Sequence, residues 1–191
     1  RVQVPATTAN LGPGFDCLGM ALEIHNIIEI IPAPRGLAIE VCGDGAAEIP
    51  RDENNLVFQS ARRVFQLVGI PMPGLKIRLI NQIPTARGLG SSTSAIVGGI
   101  IAANILSGGK LSAKDMITLA SSIEGHPDNV APAMLGGIVV SIDAEGEIRY
   151  LKIEPPAGLK GVVAVPDFNL VTKTSREAIP AQVLFQDAVF N

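Results

Sequence analysis

The stretch Pro84-Thr85-Ala86-Arg87-Gly88-Leu89-Gly90-Ser91-Ser92-Thr93-Ser94 constrains the fold of this chain more than any other. A strand-like run, Leu75 to Ile80, leads into it, and an apolar run of helical length, Ala95 to Leu106, leaves it. Strand, glycine loop and helix in succession ask for a mixed sheet-and-helix architecture. Gly88 and Gly90 let backbone approach a ligand closely, and the hydroxyl residues stand where the helix would open. Unpaired N–H groups and the positive end of a helix dipole then meet at one spot, which suits phosphate. The segment matches neither common phosphate loop. A Walker loop places Lys after its last glycine, where this chain has Ser91; a Rossmann fingerprint places a third glycine where it has Thr93.

With 191 residues, 47% of them hydrophobic, the chain can fill one large core, or one domain and part of a second. Tyr150 is the single tyrosine and tryptophan is absent, so an aliphatic α+β core fits better than an aromatic β-sandwich. A net charge of −3 and a pI near 5.4 oppose a general nucleic-acid binder, including an RNA-binding module. Cys17 and Cys42 form no Cys-x-x-Cys pair, and His25 and His126 are the only histidines, which excludes a multi-histidine metal site. No leader or membrane-length apolar run is visible, so a cytoplasmic protein without membrane contact is expected.

Along the chain, Val2 to Pro5 reads as a strand, followed by a small-residue loop from Ala6 to Gly19. Leu22 to Ile31 and Leu37 to Cys42 read as further strands. Asn54 or Asn55 caps a helix reaching Val68 and closed by Gly69. Ser112 and Asp115 form a capping box that opens a helix to about Glu124. Gly125 to Asn129 reads as a polar loop, Gly136 to Ser141 as a buried strand, with a hairpin turn near Asp143 to Gly146. Val162 to Val165 is expected as a strand, and Ser175 to the end as mostly helix, with Pro180 opening a second segment.

Polar residues of poor core-forming character gather in four stretches: Asn10 to Asp16, the glycine-rich segment, Glu124 to Asn129, and Thr172 to Arg176. A serine hydrolase built on Ser91 or Ser92 with His126 and Asp128 lacks the Gly-x-Ser-x-Gly elbow and is set aside. Taken together, the stretches resemble the GHMP kinases, a family of small-molecule kinases. Its phosphate-binding signature matches Pro84 to Ser94. Two longer pieces, Val4-Pro5-Ala6-Thr7-Thr8-Ala9-Asn10-Leu11-Gly12-Pro13-Gly14-Phe15-Asp16 and Glu124-Gly125-His126-Pro127-Asp128-Asn129-Val130-Ala131-Pro132-Ala133, are similar to the branch that phosphorylates homoserine.

The resemblance implies an α+β domain like the second domain of ribosomal protein S5, over 1–165. It also implies the start of a ferredoxin-like C-terminal domain, largely absent here, over 166–191. It implies phosphorylation of L-homoserine by ATP in threonine synthesis, with Mg²⁺ and a homodimer as one option. By the same resemblance, Asn55, Pro84, Thr85, Ala86, Arg87, Gly88, Leu89, Gly90, Ser91, Ser92, Thr93 and Ser94 would bind ATP, with Leu56 and Val57 near the adenine. Ser92 and Glu124 would hold Mg²⁺. Asn10, Asp16, His126, Asp128, Asn129, Thr172 and Arg176 would contact homoserine, with Asn129, Asp128 and Arg176 nearest the chemistry. Either transfer is direct, without a protein base, or Asp128 is the base; the metal carboxylate is Glu124 or is missing, since Thr118 occupies the family's usual position. A mevalonate-type kinase, or a piece that binds nucleotide without turnover, is the alternative reading.

Overall fold

The computed structural model describes residues 1–165, 180 and 182–190. A long strand, β2 (Leu18–Ala33), organises a six-stranded sheet. Strand β1 (Val2–Ala9) runs antiparallel along one edge of it. The other edge is split: β4 (Gly74–Asn81) pairs with 27–33 and β5 (Ile138–Ala144) with 18–20. The order is β3-β4-β2-β5-β6, where β3 is Leu37–Gly43 and β6 is Glu147–Ile153. Only β3 and β4 are parallel, joined through helix α1 (Leu56–Val68); the hairpin β5–β6 turns at Glu145 and Gly146, both with positive φ.

Alternation decides which face of β4 is covered. Leu75, Ile77 and Leu79 are buried, while Lys76 and Arg78 between them face solvent. Over the buried face lie α1, α2 (Ser91–Leu106), α3 (Ala113–Glu124) and α4 (Pro127–Leu135). Helix α2 is apolar all round because it is enclosed between the sheet and α1. A Cβ at Gly98 would fall 2.5 Å from Ile28 Cδ1, and one at Gly99 would fall 2.6 Å from the Val57 carbonyl oxygen. The glycine pair thus sets the close approach of α2 on both sides.

The capped helices form as expected. Asn55 caps α1 by accepting from Val57 N, and Gly69 closes it in the left-handed conformation. Ser112 and Asp115 form the full capping box of α3. Other expectations are corrected. Strand β1 does not stop at Pro5 but continues to Ala9 across a register shift between Pro5 and Ala6, a place where a residue without an N–H is tolerated. The polar loop after Glu124 is a junction, because α4 opens at Pro127. Proline suits the first helical position, and Pro132 inside the helix gives up only its bond to the Asp128 carbonyl. That carbonyl faces Gly19, where a Cβ would lie 1.9 Å from it.

Val162 to Val165 form no strand. The run is exposed, and among the described residues β6 pairs with β5 alone, which leaves it without a ladder. Helix α5 (Phe185–Phe190) forms near the end of the chain, but Pro180 does not open it. Thr172 and Arg176 lie outside the described residues. Cys17 and Cys42 are free thiols, and among the described residues no helix is long and apolar enough to cross a membrane.

Candidate active site

Where β2 lacks a strand partner, between β4 and β5, the chain leaves β4 and runs through 82–90 into α2. Asn26, a buried polar residue in an apolar strand, controls this crossing. Its Oδ1 accepts from Gln82 N (2.8 Å) and Ile83 N (3.0 Å), and its Nδ2 donates to Ser94 Oγ (2.9 Å). Ser94 Oγ in turn donates to the Ser91 carbonyl at 2.7 Å. One amide therefore ties the entry of the glycine-rich segment to its exit. Asp44 adds a second hold, its carboxylate accepting from Thr85 N at 2.7 Å.

Between these anchors the backbone turns through left-handed residues: Ala86 at φ 55°, Gly88 at 72° and Gly90 at 68°. For Ala86 this conformation costs on the order of 1 kcal/mol, so the loop is held there by its surroundings. Leu89 is buried against Ala6 and Ile83, which pins the middle of the loop. Gly90 then opens α2 with no side-chain cap, so the N–H groups of the first turn are directed at the space the loop surrounds.

That space is a cavity of about 570 Å³. Its apolar end is lined by Ile49, Pro50, Leu56 and Val57; its polar end by 85–93, with Asn10, Glu124, His126 and Asn129. Ser92 and Thr93 donate from their hydroxyls to Glu124 Oε1 at 3.0 and 2.8 Å, so the two residues expected to share a metal stand together. A hydroxyl and a carboxylate on one cavity wall are hard oxygen donors, which fits Mg²⁺. Thr118 does not line the cavity.

Asn10 and Asp16 hold left-handed conformations (φ 59° and 56°), and Asp16 N donates to Asn10 Oδ1 at 2.8 Å, closing the first polar loop. Asp16, His126 and Asp128 converge, each with a possible ligand atom within 4.8 Å of the others. Asp128 is fully buried and does not line the cavity. Its Oδ1 bonds His126 Nδ1 and accepts from Asn129 N (2.8 Å), while Oδ2 is buried with no hydrogen-bond partner among the described residues.

The expected site residues thus divide. Asn10, Thr85 to Thr93, His126, Glu124 and Asn129 line the cavity; Pro84, Ser94, Asp16 and Asp128 stand behind or beside it. Asn55 lines it too, but its side chain is taken up by Val57 N (3.0 Å) and the Pro50 carbonyl (2.7 Å), so it serves α1 first. Sequence reading passed over Asn26 and Asp44. The signal for Asn26 was a polar residue within the apolar run of β2, which must find partners if buried. Asn26→Leu would leave two backbone N–H groups without an acceptor, and at about 1–3 kcal/mol for each unsatisfied group we expect a loss of roughly 2–4 kcal/mol in urea unfolding. An unchanged unfolding midpoint would refute the role.

Residues 55–137 match the family model described as the GHMP kinases N terminal domain. A homoserine kinase from Caldicellulosiruptor bescii is 52% identical over 190 residues, spanning all of this chain and 62% of the relative. The crystal structure of a homoserine kinase from Cytophaga hutchinsonii superposes with a TM-score of 0.79 at 29% identity, covering 98% of this chain and 62% of the other. A mevalonate kinase from Methanococcus jannaschii shares the fold alone, with a TM-score of 0.61 and 21% identity over 81% of this chain and 55% of the other. This chain spans about 62% of the length of the curated relative. Most of the residues lining the cavity belong to the matched segment, so residues 55–137 carry the likeness to the GHMP kinases N terminal domain.

Proposed function

We propose that this chain forms the nucleotide-binding part of a kinase that transfers the γ-phosphoryl group of ATP to the side-chain hydroxyl of L-homoserine. The product is O-phospho-L-homoserine, for threonine synthesis in the cytoplasm. The observation that carries the acceptor is the meeting of Asp16, His126 and Asp128 beside the phosphate loop. Asp16, half-buried where Asp128 is fully buried, is the carboxylate that suits a cationic partner, and homoserine carries an ammonium group where mevalonate and galactose carry none. The 52% identity to a homoserine kinase supports the same choice.

The adenine would lie at the apolar end, by Leu56 and Val57, with the phosphates against 88–92 at the open turn of α2. Ser92 and Glu124 would hold Mg²⁺, which would neutralise charge on the phosphoryl oxygens. Asn10, Asp16, His126 and Asn129 would hold homoserine, and Arg176 with Thr172 would take its carboxylate, since a guanidinium fork binds a carboxylate in two places. The hydroxyl oxygen bonds to the γ-phosphorus, the bond to the leaving ADP oxygen breaks, and the hydroxyl proton passes to a phosphoryl oxygen. We assign no protein base. An Asn129 amide cannot take a proton, and Asp128 is buried with Oδ1 committed to His126 and Asn129. Catalysis is then positioning and charge neutralisation.

An ADP-release assay with homoserine, mevalonate and galactose decides the reading. It would compare the 191-residue chain with a chimera completed by the C-terminal remainder of the Caldicellulosiruptor bescii relative. Homoserine should raise release at least tenfold above either alternative in the chimera. Release independent of homoserine, or a preference for mevalonate, rejects the proposal; nucleotide binding without turnover by the shorter chain assigns cleft closure to the added part. Ser92→Ala should slow turnover at least tenfold with the fold intact, since one well-placed donor to developing charge is worth about 3–4 kcal/mol. Undiminished turnover at saturating MgATP would reject the metal role.

A further inference from the structure

Thr7, in β1, reaches both halves of the site without touching the cavity. It is fully buried. Its backbone N–H donates to the Leu89 carbonyl of the glycine-rich loop at 3.1 Å. Its hydroxyl donates to Asn129 Oδ1, 122 residues further along the chain, at 2.7 Å. Gly90 packs directly on that hydroxyl, since a Cβ there would lie 2.0 Å from Thr7 Oγ1.

The direction of the second bond follows from its neighbours. Asp128 Oδ1 lies 3.3 Å from Asn129 Nδ2, and an ionised carboxylate accepts hydrogen bonds only. The amide nitrogen of Asn129 therefore belongs on the Asp128 side and its oxygen on the Thr7 side, where the hydroxyl must donate. With backbone and side chain both engaged, Thr7 sets the distance between the phosphate loop and the first turn of α4.

We propose that Thr7 is a positioning residue for phosphoryl transfer: it holds the phosphate loop in register with Asn129, so that donor and acceptor meet in line. This rests on the reading that Asn129 stands on the acceptor side. In-line transfer is sensitive to that register, because a misplacement of about 1 Å can cost roughly a hundredfold in rate. Thr7 would thus act on kcat and leave nucleotide affinity largely alone, because its N–H bond to Leu89 is independent of the side chain.

The test compares the parent protein with Thr7→Val, which keeps the shape and loses the hydroxyl, and Thr7→Ser, which keeps the hydroxyl. Three quantities are read: affinity for a fluorescent ATP analogue, kcat with homoserine in the chimera, and the Asn129 side-chain amide resonances in the ¹⁵N-labelled chain. Nucleotide affinity should change less than twofold in both variants. Turnover should fall at least tenfold in Thr7→Val and return to within threefold of the parent in Thr7→Ser. The Asn129 amide resonances should move in Thr7→Val and return in Thr7→Ser. Full turnover in Thr7→Val, equal impairment in Thr7→Ser, or amide resonances that stay in place would each overturn the proposal. A parent without homoserine turnover rejects the acceptor reading instead, and the amide resonances then decide the role of Thr7 by themselves.

Discussion

The site depends on one buried amide. Asn26 sits where β2 has lost its neighbour on one edge, just past the last pair with β4. A strand interior there would carry unpaired backbone. Asn26 resolves this by accepting from two N–H groups of the departing chain and donating to Ser94 in the first turn of α2. The gap in the sheet thereby becomes the seat of a loop rather than a defect. Glycines at 98 and 99 complete the arrangement by letting α2 sink between sheet and α1, so its N-terminus is fixed in depth as well as direction.

From that fixed point the cavity acquires a gradient. Its apolar end, between Ile49, Pro50, Leu56 and Val57, suits a flat heterocycle; its polar end offers backbone N–H groups, hydroxyls and one carboxylate. The side facing the glycine-rich loop is assembled from distant segments, with the 10–16 loop and the α3–α4 junction meeting at Asp16, His126 and Asp128. Asp128 does structural work for that side. Fully buried, it fixes His126 through Nδ1 and holds the backbone of Asn129. A group so committed orients its neighbours.

Much of this was legible in the sequence. Capping residues placed α1 and α3 because Asn55, Gly69, Ser112 and Asp115 act locally, and the strand–glycine–helix succession placed the glycine-rich loop between β4 and α2. What escaped was set by contacts across the chain. Strand β1 runs on past Pro5 because β2 is long enough to pair beyond a bulge, and 162–165 has no strand partner among the described residues. Helix α4 hid behind two prolines, each harmless in context: one opens the helix, and the other frees a carbonyl that Gly19 accommodates. Local pattern likewise could not show that Asn55, besides capping α1, is held by the Pro50 carbonyl, or that Asn26 and Thr7 hold the loop from behind.

The central claim is that phosphates are held at the open turn of α2, in the loop that Asn26 secures. A crystal structure of this chain with a non-hydrolysable ATP analogue and Mg²⁺ tests it most directly. The account predicts the β- and γ-phosphates against the backbone N–H groups of 88–92, with the base between Pro50 and Val57. Phosphates bound elsewhere, with 88–92 making no contact to them, would contradict it.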